Sequence, residues 1–159
     1  MAAGSRNSWV AVLCAGIVAG VLATLIQVLL WLAFTDDFTA LLLRDARLTA
    51  ALVLGQRVLP LAGFDAGIML TATLIHFALS IIYAALLAPL AARFTLMPSL
   101  LAGAGFGGAL YLVNLYGFTA IFPWFAQARG WITLVAHLVF GLSVMAVYRC
   151  GVRYRPGAH

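Results

Sequence analysis

Two histidines, His76 and His137, and two amides, Gln27 and Asn114, stand inside long uncharged stretches of this sequence. Imidazole near neutrality gains or loses a proton with a small change in surroundings. An amide both donates and accepts hydrogen bonds. Such groups in an apolar setting either satisfy one another or line a wet cavity. Ser80 and Tyr83 follow His76 at helical spacing and share its face. Together His76, His137, Asn114, Gln27, Ser80 and Tyr83 form a candidate polar intramembrane site. Three chemistries are open to it. One is an interhelical hydrogen-bond network that sets helix register. The second is a polar site that binds or passes a small solute, ion or proton. The third is paired axial ligation of a haem b by His76 and His137. A mononuclear metal site lacks supporting acids or cysteines among these groups. No nucleophile–base–acid set is present, so an enzyme is not expected, and the residues imply no definite cofactor.

The elements that carry these residues follow from composition. The chain has 159 residues, 65 % hydrophobic and 8 % charged. Soluble domains are about 25 % charged and about 45–50 % apolar. That difference excludes a soluble enzyme, a nucleic-acid-binding domain and a disordered chain, and leaves an integral membrane protein whose first partner is the lipid bilayer. Charge-free windows cover 7–35, 66–92, 94–128 and 130–148. Each holds the roughly 20 apolar residues that cross a bilayer as a helix. The expected spans are about 9–33, 67–90, 98–118 and 131–148, in one all-α, four-helix transmembrane domain. The first apolar run is too long for a cleaved signal and reads as a retained helix. Segment 36–60, between the first two spans, is too charged to cross. Its core reads as an amphipathic helix at the membrane surface or folded back on the bundle.

With these boundaries His76 lies about 13 Å, and His137 about 9 Å, inside one face of the membrane. Gln27 and Asn114 fall in the same outer layer. Asp65 is expected to be a solvated loop acid or helix N-cap. All nine basic residues are Arg, and the four acids are Asp36, Asp37, Asp45 and Asp65. One side of the membrane carries Arg6, Arg93, Arg149, Arg153 and Arg155 without an acid. The other carries Arg44, Arg47, Arg57 and Arg129 with all four Asp. The basic tail beside the last span orients both termini to the cytoplasm, and Trp31, Trp124 and Trp131 then form an aromatic belt on the opposite side.

Residues 13–27 align with 100–114. Leu13, Ala15, Gly16, Gly20 and Leu25 meet identical residues, and Gln27 meets Asn114. His76 and His137 occupy matching places on the helices that follow. This reads as two parallel two-helix repeats, against chance matching in a Gly- and Leu-rich alphabet. Gly16 and Gly20, like Gly103 and Gly107, sit on one face of their helix. They serve tight helix packing, a dimer face or room for a flat cofactor.

His76-Phe-Ala-Leu-Ser80 with Tyr83, Leu100-Leu-Ala-Gly-Ala104, Phe122-Pro-Trp124, and His137-Leu-Val-Phe140 running to Tyr148-Arg149 together resemble the YagU-like family of small bacterial inner-membrane proteins. The resemblance spans about 76–149. It implies a multi-pass protein of the bacterial inner membrane and draws attention to His76 and His137. It implies no settled reaction. Three functions follow as expectations: a transport or permeation unit, a bis-His haem redox subunit, or an accessory subunit of a larger membrane complex. The first is expected to act as a homo-oligomer.

Overall fold

A computed structural model describes residues 2–60 and 63–153. Arg155, and the side chains of Arg6 and Arg153, lie outside the described residues. The chain forms α1 (Ala2–Phe34), α2 (Phe38–Leu54), α3 (Ala66–Arg93), α4 (Leu96–Leu112) and α5 (Trp131–Arg153). Among the described residues, four segments are long and apolar enough to span a membrane: Trp9–Phe34, Ala66–Ala91, Leu96–Ala120 and Trp131–Gly151. Helices are the natural solution, because lipid offers no partner to an open backbone N–H or C=O.

Local signals set the ends. Asp37 caps α2, its carboxylate accepting from the Ala40 amide at 2.9 Å, and Asp65 caps α3, accepting from Ile68 at 3.0 Å. Those amides are among the donors a helix start leaves without an intrahelical partner. Gly55 ends α2 with φ 79° and donates its amide to Ala51. That backbone conformation is one L side chains rarely adopt. Pro89 lies within the last two turns of α3 and Pro98 in the first turn of α4, so the middle of each span is free of proline.

The bundle turns large residues outward and small ones inward. Leu70, Leu74, Leu86 and Leu101 are each at least 60 % exposed, on faces that meet lipid in a membrane. Inside, Ala11, Ala15, Ala19 and Ala23 form a buried stripe at four-residue spacing on α1. They pack with Ala84, Leu87 and Ala88 of α3 and with Val144 and Met145 of α5. Without a hydrophobic drive between helices in lipid, close packing of small residues holds such bundles together. α5 lies at the centre, with extensive contacts to both α1 and α4. Contact between α3 and α4 is slight.

The glycine faces turn inward, each against the second helix of its own half. A Cβ on Gly16 would stand 2.7 Å from the Ile81 Cα, and one on Gly103 would stand 2.6 Å from the Gly141 carbonyl oxygen. A Cβ on Gly107 would run into the His137 carbonyl. Backbone at Gly16, Gly103 and Gly107, and the Ser80 and His76 side chains at Gly20, fill the space that a flat cofactor would need.

Both ends are tied by side chains. Arg149 of α5 donates from one Nη to the carbonyls of Ala91 and Phe94 and to the Ser99 hydroxyl. This holds the α3–α4 turn and places a cation at the C-terminus of α3, where the helix dipole favours one. At the other end α2 folds back onto the bundle and packs mainly against α3. Buried Arg47 donates to the carbonyls of Val58 and Gly63, and the Trp124 indole donates to the Leu48 carbonyl.

The third span differs from the expected continuous helix over 98–118. α4 ends at Leu112, a π-helical turn runs from Val113 to Gly117, and a 3-10 turn covers Phe118–Ala120. The wider turn offers the Leu115 carbonyl to Arg129, whose Nε donates to it at 2.7 Å. Arg129 also lies 4.2 Å over the Tyr116 ring. A π turn costs regular helical bonding and occurs mostly as a single turn at functional positions.

Gly107→Ala is expected to lower stability by about 1–3 kcal/mol, because the added methyl meets backbone that cannot yield. Gly105→Ala, with nothing within 4 Å of its Cβ, is expected to change stability by under about 0.5 kcal/mol. Reversible unfolding in mixed micelles measures both.

Candidate functional site

Asn114 stands in the π turn. Its side chain joins α3 to α5. The Tyr83 hydroxyl donates to Asn114 Oδ1 at 3.0 Å, and Asn114 Nδ2 lies 3.4 Å from His137 Nε2. His137 Nδ1 lies 2.8 Å from the Thr133 carbonyl. A carbonyl only accepts, so Nδ1 carries the proton and Nε2 of the neutral ring offers a lone pair. The Asn114 amide then donates to His137 and accepts from Tyr83. Every donor along Tyr83, Asn114, His137 and Thr133 therefore points the same way. Aromatic edges hold the rings: Tyr111 meets His137 at 5.7 Å between centroids, and Phe140 meets Tyr83 at 6.5 Å. The Tyr111 hydroxyl in turn accepts from the Gly130 amide at the start of α5.

His76 has a separate setting. Its Nε2 lies 3.3 Å from both the Gly20 carbonyl and the Thr24 hydroxyl of α1. The threonine hydroxyl can accept from this nitrogen or donate to it, so it serves either tautomer. Buried Ser80 fills the next position: a Cβ on Gly20 would come within 2.9 Å of its Oγ and 3.1 Å of His76 Nε2. The absence of a side chain at Gly20 is what lets His76 reach α1.

Gln27 turns away from the histidines toward α2. Its Nε2 donates to Asp45 Oδ2 at 3.2 Å. Arg44 covers the other oxygen, with Nε 2.8 Å and Nη2 2.7 Å from Oδ1. Burial pushes the Asp45 carboxyl above the usual carboxylate range, and the Arg44 charge with the Arg44 and Gln27 hydrogen bonds pulls it partly back. Asp45 lies on α2, outside the spans.

The six sequence-derived residues thus form three clusters rather than one. Tyr83, Asn114 and His137 are joined. His76 and Ser80 meet at Gly20. Gln27 belongs with Asp45. In the aligned halves, Gly20 and Thr24 against His76 occupy the places of Gly107 and Tyr111 against His137. The amides break the correspondence, since Asn114 reaches its own histidine and Gln27 reaches α2. Gly117, three residues after Asn114, is exposed with open space at its Cβ. Asp65 is an N-cap rather than a site residue.

Sequence reasoning missed Thr24, Asp45 and Arg129. Thr24 lies three residues before Gln27 on one helix face, which was a usable signal. Asp45 and Arg129 belong to segments outside the spans, and no spacing rule links them to the buried amide or the π turn. Among the described residues, no three His, Cys, Asp or Glu side chains cluster as a metal site. No protein-family model, curated protein or solved structure matches the chain.

A double-mutant cycle on Tyr83→Phe and Asn114→Ala is expected to give a coupling of about 0.6–1.7 kcal/mol, the range of interhelical hydrogen bonds in membranes. Asp45 predicts a pH slope. The folded state holds its proton more tightly than the unfolded chain does. Stability therefore falls as pH rises from 3.8, the ordinary value, to the raised folded value. Unfolding of wild type and Asp45→Asn across that interval checks this, and the variant should lack the contribution.

Proposed function

We propose that the protein is a small permeation unit of a membrane, in which the joined Tyr83, Asn114 and His137 and the separate His76 cluster supply the polar groups that a small solute, ion or proton engages. The observation that carries this reading is the one-directional hydrogen-bond chain across α3, α4 and α5. A network serving register alone has no need of an ionisable ring at its end, and intramembrane ionisable groups mark pathways and proton relays. The π turn that holds Asn114 supports the same reading, because single π turns inside helices are frequent at functional sites. The matching positions of Gly20 and Thr24 beside His76 and of Gly107 and Tyr111 beside His137 support two repeated hairpins. The inward glycine faces disfavour a haem slot. The acid-free Arg93 and Arg149 end supports cytoplasmic termini, and the resemblance over 76–149 supports the bacterial inner membrane.

The test is purified protein in sealed liposomes. Proton movement is followed by dye quenching under a potassium diffusion potential, and small neutral solutes by light scattering. Wild type is expected to exceed empty vesicles for at least one probe. His137→Ala and Asn114→Ala should each lower that flux about tenfold or more, as loss of a proton-transfer group does, with the fold retained. Wild-type vesicles no more permeable than empty ones would overturn the reading, as would variants with unchanged flux.

A further inference from the structure

Of the four acids, Asp36, Asp37 and Asp65 are exposed, and Asp37 and Asp65 serve as helix caps. Asp45 is different. Its side chain is 21 % exposed, and it meets α1 through Gln27. Gln27, Thr24 and Gly20 follow one another at three- and four-residue steps on one face of α1. Their partners are Asp45, His76 and His76 again. A line of polar groups thus runs from α2 into the span, in axial steps of about 4.5 and 6 Å. Ser80 and Tyr83 continue the His76 face of α3 toward Asn114.

We propose that Asp45 is the proton-binding residue at the α2 end of this site, and that it passes protons to His76 along the Gln27–Thr24 face of α1. This deepens the permeation reading and rests on it. The geometry assigns the two carboxylate oxygens different work. Oδ1 carries both Arg44 contacts and holds the side chain in place. Oδ2 accepts one hydrogen bond from a neutral amide and keeps a lone pair that can take a proton. A proton from water binds Oδ2, the carboxylate becomes a neutral acid, and the Gln27 amide turns to accept the new O–H at Oε1. The proton then leaves through water beside Thr24 to a ring nitrogen of His76. The carboxylate and its Gln27 bond re-form.

The surroundings suit that cycle. Arg44 is the charged group that acts on Asp45 from its own helix, and α1 presents Gln27. On α3, which packs against α2, the titratable groups are Asp65, engaged at its own helix start, and His76, engaged by Gly20 and Thr24. The 123–128 turn brings Trp124, whose indole is spent on Leu48, and the 56–58 turn brings Arg57, which is exposed. Arg47 donates to the Val58 and Gly63 carbonyls. Burial raises the carboxyl against the pull of Arg44, so protonation falls nearer the pH of use than for a free aspartate.

The experiment uses the full chain in liposomes, with proton flux and infrared difference spectra recorded as external pH is stepped. Wild type is expected to show, beside the bands of the exposed Asp36, Asp37 and Asp65, a carboxylic-acid C=O band that titrates at higher pH, and Asp45→Asn should lose that band. Asp45→Asn should also lower proton flux about tenfold or more. Gln27→Met should keep the titrating band but lower the flux, which separates proton binding from onward transfer and serves should Asp45→Asn fail to fold. Unchanged flux in Asp45→Asn or Gln27→Met, or survival of the higher-pH band in Asp45→Asn, overturns this inference while the permeation reading stands. Wild-type vesicles that pass no protons overturn this inference too, and if they also pass no neutral solute the permeation reading falls with it.

Discussion

The backbone of α4 lies directly against the backbone of α5 at Gly103, Gly107 and Gly141, with no side chain between them. The other arrangements in the bundle depend on that approach. It lets His137 and Asn114 sit within hydrogen-bond reach across the two helices. It brings Arg149 over the α3–α4 turn, where three acceptors use one nitrogen. It also frees the opposite face of α5 for the alanine stripe of α1. In lipid, van der Waals contact and interhelical hydrogen bonds take the place of hydrophobic drive, so the distance between backbones decides which polar groups can meet.

The π turn is the local counterpart of this packing. Asn114 is the second residue of this turn, reached through regular helical backbone at Leu112 and Val113. The wider turn leaves a carbonyl for Arg129, and that cation sits where the helix dipole is negative. Arg129 is further held by the Thr119 hydroxyl and the Tyr116 face. An irregular turn at membrane depth is tolerable because its freed backbone group is satisfied within the protein.

The two halves use their glycines alike and their surroundings differently. Gly16 and Gly20 lie against Ile81, Ser80 and His76, as Gly103 and Gly107 lie against Gly141 and His137. Yet α1 packs along α5, while α3 and α4 barely touch. The long segment with α2 follows α1 and has no counterpart after α4, where only short turns intervene. Gln27 therefore meets a charged helix, and Asn114 meets a histidine. A shared pattern of small residues thus supports two polar settings of different chemistry.

Much of the fold was legible in the residues themselves. Charge-free windows marked the spans to within about two or three residues, because hydrocarbon tolerates few charges and demands closed backbone hydrogen bonding. Asp65 offered a helix start, and paired glycines marked close contacts. His76, His137 and Asn114 stood out because polar groups are rare in such windows. Which of them meet was decided by tertiary structure. Tyr83 lies 31 residues from Asn114, and Asp45 lies 18 from Gln27. Helical periodicity gives the face of a residue, but not the rotation and tilt of the neighbouring helix, which packing sets. The π turn, the Arg129 contact and the return of α2 onto α3 depend on groups brought together only when the helices are assembled. For that reason composition and spacing were enough for the spans, and the partners of each polar side chain were settled by the backbone contacts between helices.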